Sequence, residues 1–173
     1  MSLTSETLID TAVYETNGYL HLPSFVTDPW LSDLQAVAAE FVERSRQSER
    51  SDATFDVEPG HSADAPRLRR LNSPVDQHET FARFALDGPA AAIATAVLGG
   101  PVRYHHSKLN FKWSSGGEPV DWHQDIQFWP HTNYSPLTVG TYAYDCGPDQ
   151  GPVMVLPGSH LDELYDQYNA AGE

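Results

Sequence analysis

The spacing of hydrophobic residues along the sequence changes at Gly99-Gly100. Before this pair, apolar residues recur at helical spacing, most clearly over residues 29–46. From Val102 onwards, short alternating stretches are separated by residues that favour tight turns, which is typical of β-strands. Helices followed by strands predict either an α+β fold or helices packed on a β-sandwich.

Capping and helix-breaking residues mark the ends of the predicted helices. Asp28-Pro29 supplies a cap and a first-turn proline, while Asn17-Gly18 and Gly99-Gly100 each end a helix. Residues 47–66 are polar and contain proline and glycine, so we predict a long loop there and regard it as a candidate lid. The predicted helices cover residues 5–15, 29–46, 76–86 and 89–98.

Four strands are predicted from alternating or short apolar runs: residues 19–22, 102–113, 137–144 and 153–156. In the second of these, the even-numbered residues from Tyr104 to Lys112 are polar and would face water or a polar cleft. The odd-numbered residues become apolar towards Trp113 and would face the core.

Composition limits the class of protein. A chain of 173 residues, 40% of them hydrophobic, predicts one globular domain with a real core. The single cysteine, Cys146, leaves no internal disulfide and fits a reducing compartment. The N-terminal segment does not resemble a signal peptide, and no apolar run approaches the length of a membrane span. We therefore expect a cytoplasmic protein without a membrane partner.

The charge is strongly negative and unevenly placed. A net charge of −14 argues against nucleic acid and anionic membrane surfaces as partners. All ten Lys and Arg residues lie between Arg44 and Lys112, whereas nine carboxylates follow Trp113. Three interpretations remain open: a solvated acidic face, carboxylates that hold a cation, or a basic segment outside this chain that lies opposite them.

The chemistry of the chain is concentrated at residues 122–125, which read Trp-His-Gln-Asp. On a strand, His123 and Asp125 would project from the same face. An imidazole and a carboxylate are two of the three ligands in the 2-His-1-carboxylate triad that holds Fe(II). A lone His-x-Asp is often a solvent-exposed accident, but the flanking aromatic residues Trp122, Phe128 and Trp129 favour a site.

These residues carry a family resemblance. The Trp-His-Gln-Asp segment, followed by Gly-Pro-Val-Met-Val-Leu-Pro-Gly-Ser-His at 151–160, resembles the phytanoyl-CoA dioxygenase family of Fe(II)/2-oxoglutarate oxygenases. Residues 107–110, Ser-Lys-Leu-Asn, are similar to a segment of the ectoine hydroxylases within that family. The resemblance implies a double-stranded β-helix (a cupin-like jelly roll) with helices packed on one sheet, incomplete in these residues.

The resemblance also implies site residues. His123 and Asp125 match iron ligands, while Asn110 and His106 match positions that contact 2-oxoglutarate, although His106 replaces a glutamine. Tyr142 is either an aromatic residue beside the cosubstrate or an ordinary core tyrosine. His160 belongs to the Pro-Gly-Ser-His turn and is not assigned to iron. Weaker expectations for the substrate pocket concern four residues: Gln124, Gln127, Arg67 and Trp122. Arg67, Arg69 and Arg70 could meet an anionic substrate. The alternative, that these arginines pair with the abundant carboxylates, has at least equal weight.

The implied activity is hydroxylation of an aliphatic C–H bond in a small molecule, with Fe(II), 2-oxoglutarate and O2. Asp125 stands where related halogenases have a small residue, which favours hydroxylation, although desaturation, epimerisation and cyclisation use the same triad. A catalytically inactive jelly-roll binding module is one alternative. A hydrolase with a His-Asp dyad is another, weakened because no G-x-S-x-G elbow occurs. Substrate identity and oligomeric state stay open.

Two parts of the family pattern have no counterpart here. The second iron histidine and the basic residue that pairs with 2-oxoglutarate come well after the Pro-Gly-Ser-His turn in the family. We therefore expect residues 1–173 to be the N-terminal and central part of a single dioxygenase domain that continues beyond Glu173. A genuinely truncated or split protein is the alternative.

Overall fold

The computed structural model describes residues 9–117, 120–128, 131–166 and 168, which fall in two compact units. The core unit consists of Leu22–Gly117 and Val139–Val153. The motif unit consists of Met1–His21, Glu118–Thr138 and Met154–Glu173. The start of the helix predicted over residues 5–15, and Trp129 beside the motif, lie outside the described residues.

The motif unit contains one α-helix among its described residues, α1, at Thr11–Asn17. The Asp10 carboxylate caps it by accepting hydrogen bonds from the backbone N–H groups of Ala12 and Val13. Gly18 ends it in the left-handed region, with φ of 77°. The predicted end at Asn17-Gly18 is thus confirmed, whereas the strand predicted over residues 19–22 is wrong.

The longest helix of the core unit, α2, spans Trp30–Ser45 and confirms the amphipathic helix predicted over residues 29–46. The N-cap residue is Pro29, without a side-chain cap hydrogen bond, so the predicted cap at Asp28 is one position too early. The Asp28 carboxylate still accepts a hydrogen bond from the Ser32 backbone N–H at 3.3 Å. One face of α2 is buried against the rest of the core unit, through Leu34, Val37, Ala38, Phe41 and Ser45.

Three further helices follow in the core unit: α3 at Pro74–Gln77, α4 at Glu79–Leu86 and α5 at Pro89–Leu98. Gly99 ends α5 with φ of 71°, as predicted. Among the described residues, the stretch 79–98 is long and apolar enough on paper to cross a membrane. It is divided at Asp87-Gly88 into helices of 8 and 10 residues, each well short of the ~20 residues that a span needs.

A three-stranded antiparallel sheet lies in the core unit, in the order β1 (Phe55–Val57), β2 (Leu68–Asn72) and β3 (Lys108–Asn110). A bulge interrupts the pairing of β1 with β2, because Asp56 lies opposite Arg70 while Val57 lies opposite Leu68. The extra residue shifts the alternation of β2.

The sheet corrects two predictions. β1 lies inside residues 47–66, which were predicted to be loop throughout. β3 covers three residues of the strand predicted over 102–113. The predicted alternation near β3 is nevertheless confirmed: Leu109 and Phe111 pack against the core, whereas Lys108 and Asn110 are exposed.

The core is formed by α2, α4 and one face of the sheet. Phe41, Leu68 and Leu71 are fully buried at its centre. Leu68 and Leu71 are three residues apart, so a regular strand would direct them to opposite faces; the bulge in β2 lets both face the core.

No jelly roll is present among the described residues, which form α-helices and this one small sheet. The strands predicted over residues 137–144 and 153–156 are wrong, since these residues form no strand in the structure. A strand needs a neighbour for its backbone hydrogen bonds, and here the side chains of Val153, Met154 and Leu156 are 76%, 71% and 62% exposed. The coarser α+β prediction describes what is observed.

Candidate metal centre

The His-x-Asp pair brings its two side chains together, although not on a strand. His123 lies in an irregular segment, and Asp125 begins a short 3-10 helix, Asp125–Phe128, so the strand expected here is wrong. The His123 Nε2 atom is nevertheless 3.2 Å from the Asp125 Oδ1 atom. One nitrogen and one oxygen donor therefore face the same point.

A backbone carbonyl fixes the proton on the His123 ring. The Nδ1 atom lies 2.8 Å from the Asp121 carbonyl oxygen, which can only accept, so Nδ1 carries the hydrogen. The Nε2 atom then directs a lone pair at the Asp125 carboxylate, and the two acceptors repel unless a proton or a cation lies between them. Ligand bonds of about 2.1 Å at roughly right angles would separate such atoms by about 3 Å, so the pair fits a metal ion.

The second oxygen of Asp125 is also held. The Thr138 hydroxyl donates a hydrogen bond to Oδ2 at 3.0 Å, which leaves Oδ1 as the oxygen directed at His123. Thr138 and the Asp121 carbonyl were both missed in the sequence. Nothing in the residue types marks them, because a threonine 13 positions away and a backbone oxygen become relevant only through the folded path of the chain.

Gln124 and Gln127 form a clamp on the segment 163–165. The Gln127 side-chain amide donates to the Gln124 side-chain oxygen at 2.9 Å and to the Tyr165 carbonyl at 2.7 Å. Gln124 in turn donates to the Glu163 carbonyl at 3.1 Å and accepts from the Tyr165 N–H at 2.9 Å. The two side chains therefore hold a distant segment against the motif, and their substrate-pocket role stays a prediction.

The aromatic surroundings expected for the motif are only partly visible. Trp122 is 66% exposed, and its role in the substrate pocket stays a prediction. The Phe128 side chain and all of Trp129 lie outside the described part of the chain. On the clamped segment, the negative charge of the Asp162 carboxylate raises the pKa of the Tyr165 phenol above its ordinary value of 10.0.

The Pro-Gly-Ser-His turn packs against the end of α1. The Gly158 N–H donates to the Asn17 carbonyl at 2.9 Å, and the His160 Nε2 atom lies 3.0 Å from the Glu15 carbonyl. These contacts satisfy carbonyls that the last turn of a helix leaves without partners. The His160 ring lies so close to Gly18 that a Cβ atom there would overlap it. His160 is thus engaged in a structural contact within the motif unit.

The residues expected to contact the cosubstrate belong to the core unit. Asn110, on β3, accepts a hydrogen bond at its Oδ1 from Arg70 Nε at 3.0 Å. The rings of His105 and His106 meet edge to face, with an angle of 76° between their planes and their Nδ1 atoms 2.7 Å apart. The Tyr142 hydroxyl accepts a hydrogen bond from the Val153 N–H at 2.8 Å, and its side chain is half exposed. All three assignments stay predictions.

Arg67, expected in the substrate pocket, is occupied by a carboxylate. Its guanidinium donates to Glu58 Oε2 at 2.7 Å, and Glu58 is 5% exposed. Arg67 also donates to the Ser115 carbonyl and thereby links the sheet to the turn that follows β3. The alternative expectation, that the arginines in this segment pair with carboxylates, is confirmed for Arg67.

One pocket of about 310 Å³ lies in the core unit, between α2 and the irregular segment that follows β3. Its walls are mostly apolar and include Val42, Phe111, Trp113 and Tyr144. None of the residues singled out from the sequence for catalysis or binding lines it. Across the described residues, no group of three His, Cys, Asp or Glu side chains is placed to hold a metal, so His123 and Asp125 stand as a pair.

Several curated proteins are similar to this chain in sequence. One relative, named as a probable alpha-ketoglutarate-dependent hypophosphite dioxygenase of Stutzerimonas stutzeri, is 34% identical over 116 residues, 67% of this chain and 40% of its own length. An ectoine dioxygenase of Stutzerimonas stutzeri is 32% identical over 153 residues (85% and 48%). An L-proline trans-4-hydroxylase of Streptomyces griseoviridis is 30% identical over 160 residues (90% and 56%).

A solved structure is also similar. The crystal structure of EctD from S. alaskensis with bound Fe superposes with a TM-score of 0.58 at 26% identity, covering 69% of this chain and 40% of that one. The chain spans about half the length of the curated relatives it matches. The phytanoyl-CoA dioxygenase (PhyH) family model matches residues 14–172. The chain therefore belongs to the phytanoyl-CoA dioxygenase family.

Proposed function

We propose that this chain is the N-terminal and central part of a non-haem Fe(II)/2-oxoglutarate oxygenase that hydroxylates an aliphatic C–H bond of a small molecule. The observation that carries the proposal is the convergence of His123 Nε2 and Asp125 Oδ1, 3.2 Å apart, inside a segment matched by the family. Relatives are named for ectoine, L-proline and hypophosphite, which are all small molecules and support a small-molecule substrate here.

In this proposal His123 and Asp125 are two of the iron ligands. With 2-oxoglutarate and O2, iron bound there supplies the oxidising power that hydroxylates an unactivated C–H bond. The chain's own contribution is orientation. The Asp121 carbonyl keeps the proton on Nδ1 of His123 so that Nε2 can bind metal, and the Thr138 hydroxyl holds the Asp125 carboxylate. The carboxylate at position 125 favours hydroxylation over halogenation.

The remaining site residues are assigned by the family resemblance. Asn110, His106 and Tyr142 contact 2-oxoglutarate in this proposal. The substrate pocket draws on Gln124, Gln127, Arg67 and Trp122, although three of these already have structural contacts. Arg67 is the weakest member, because a buried carboxylate neutralises it. Cytoplasmic localisation is proposed as well, in line with the single unpaired cysteine.

The domain itself extends further in this proposal. Two observations support it: the relatives are about twice as long as the matched region, and apolar side chains of residues 153–156 are exposed. Further strands of the same domain would cover them, complete a jelly roll and supply the third ligand and a cation for 2-oxoglutarate. The 173 residues alone should then bind Fe(II) weakly and release no succinate, and extension by about 100 residues should restore both.

The experiment that tests the proposed activity measures succinate release by the full-length protein with Fe(II), 2-oxoglutarate and candidate substrates. Asp125→Ala should abolish turnover and lower the iron content, because the site loses its anionic ligand. Asp149→Ala, an exposed carboxylate on another segment, is the matched control, and His160→Ala should retain iron. Full turnover by Asp125→Ala would overturn the assignment. Iron and 2-oxoglutarate binding without turnover would indicate a binding module instead.

A further inference from the structure

The face of the sheet opposite the core carries a polar row that crosses all three strands. Arg70 on β2 lies directly opposite Asp56 on β1 and Asn110 on β3, so the three side chains share one face. The neighbouring row, which includes Leu71, faces the core. The polar row is therefore held in place by the register of a sheet whose other face is packed.

Arg70 fixes the orientation of the Asn110 amide. Its Nε–H donates to Asn110 Oδ1 at 3.0 Å. A guanidinium has donors and no acceptor, so the amide must present its oxygen to Arg70. The NH2 group of Asn110 is consequently the part of the amide that remains for another partner, and the fixed orientation makes it a prearranged donor.

Arg70 also keeps its charge available. The chain has 24 acidic and 10 basic residues, so a cation readily finds a carboxylate, as Arg44, Arg46 and Arg67 do. No carboxylate forms an ion pair with Arg70 in the described part of the chain. Asp56, its neighbour in the row, instead accepts a hydrogen bond from the Ser51 hydroxyl at 3.1 Å.

We propose that Arg70 and Asn110 form a binding site for a carboxylate group of a small molecule. The terminal N–H groups of Arg70 and the NH2 group of Asn110 are all donors, and a carboxylate only accepts. Arg70 is partly buried, which strengthens its attraction for an anion relative to water. The inference rests on the proposed function for its two sources of carboxylate, which are 2-oxoglutarate and the substrate itself.

The test is calorimetric titration of the full-length protein with 2-oxoglutarate, and with L-proline as a substrate-like carboxylate in the presence of saturating 2-oxoglutarate. Arg70→Met should raise the dissociation constant of one of them by about 10- to 100-fold, the loss expected for hydrogen bonds to a charged group. A shift for 2-oxoglutarate identifies the cosubstrate as the source, and a shift for L-proline alone identifies the substrate. An unchanged affinity for both, or no binding of either by the wild type, overturns the proposal.

Variants separate this site from folding and from the metal. Arg44→Met removes an equal charge from an exposed helix position and should change neither affinity. Asn110→Ala should weaken binding, and the double variant should lose less than the product of the two single losses, because Arg70 acts partly through Asn110. If Arg70→Met unfolds, Arg70→Lys replaces it and should also weaken binding.

A titration with EDTA distinguishes the two proposals. Arg70-dependent binding that persists without metal supports the carboxylate site even if succinate release fails. If the affinity for both carboxylates is the same in Arg70→Met and in wild type while succinate is still released, the carboxylate site is wrong and the proposed activity stands.

Discussion

Residues 22–117 and residues 120–168 use their apolar side chains differently. In the first region Phe41, Leu68 and Leu71 are fully buried. In the second, Val153 is 76% exposed and Leu161 is 75% exposed. The first region consists of helices that satisfy their own backbone and of strands that pair with one another, so it completes a core by itself.

In the second region, the two side chains of the candidate metal site come together without a surrounding sheet. Its described residues contain no paired strand, yet the His123 and Asp125 side chains already meet, because a carbonyl and a hydroxyl from the same unit hold them. Local hydrogen bonds therefore arrange the two donors without a surrounding sheet.

The largest expected effect contrasts a leucine from each region in the 173-residue chain. Leu71→Ala should lower the free energy of unfolding by about 2–5 kcal/mol, because it opens a cavity in the packed core. Leu161→Ala should change it by less than about 0.5 kcal/mol, since the side chain is exposed. Urea unfolding measures both values. If both substitutions lower the free energy of unfolding by similar amounts, Leu161 is buried and the two regions do not differ in how they bury apolar side chains.

Sequence patterns predicted the first region better than the second, for a physical reason. Helix ends depend on neighbours in sequence, and Gly18 and Gly99 end their helices as their residue type suggests. Strands depend on distant partners, so β1 was missed inside a polar loop and residues 137–144 were wrongly predicted to be a strand.

The two donor side chains of the candidate site were predictable from the sequence, whereas the groups that hold them in place were not. His123 and Asp125 stand out by residue type and spacing. Thr138 and the Asp121 carbonyl are recognised only in three dimensions. Arg70 was noted in the sequence as a cation that could meet an anionic substrate, whereas its hydrogen bond to Asn110 follows from the strand register.

The next prediction concerns the second region and asks whether its own residues hold the Asp125 carboxylate in place. Thr138→Val removes the hydroxyl that donates to Asp125 Oδ2 and should weaken Fe(II) binding by about 10- to 100-fold, as loss of a supporting contact to a metal ligand does. Thr132→Val is the same substitution at an exposed position and should have no effect. Anaerobic metal titration gives both affinities. Equal affinities would mean that Asp125 is held from elsewhere.

A smaller effect compares the glycine that ends a helix in each region. Gly18 and Gly99 both have positive φ, so alanine costs about 1–2 kcal/mol of backbone strain at either position. Gly99 has open space around it, whereas a Cβ at Gly18 would overlap the His160 ring. Gly18→Ala should therefore lower the thermal midpoint more than Gly99→Ala, and His160→Ala added to Gly18→Ala should recover part of the difference. Equal shifts from the two single substitutions would argue against a tight contact between α1 and the Pro-Gly-Ser-His turn.

The smallest effect concerns an exposed ion pair on the packed region. Two hydrogen bonds from Arg46, at 2.7 and 3.0 Å, lower the pKa of Glu43 below its ordinary value of 4.5. The stability that this pair adds is present above that ordinary value and is lost as the pH falls through the lower folded-state pKa. Glu43→Gln should therefore lower the thermal midpoint slightly at neutral pH, and the difference from wild type should vanish in acid. Because both side chains are exposed, the whole effect should also shrink in high salt. A difference that persists unchanged through the acid range would mean that Glu43 contributes through the packing of its aliphatic stem, and not through its charge.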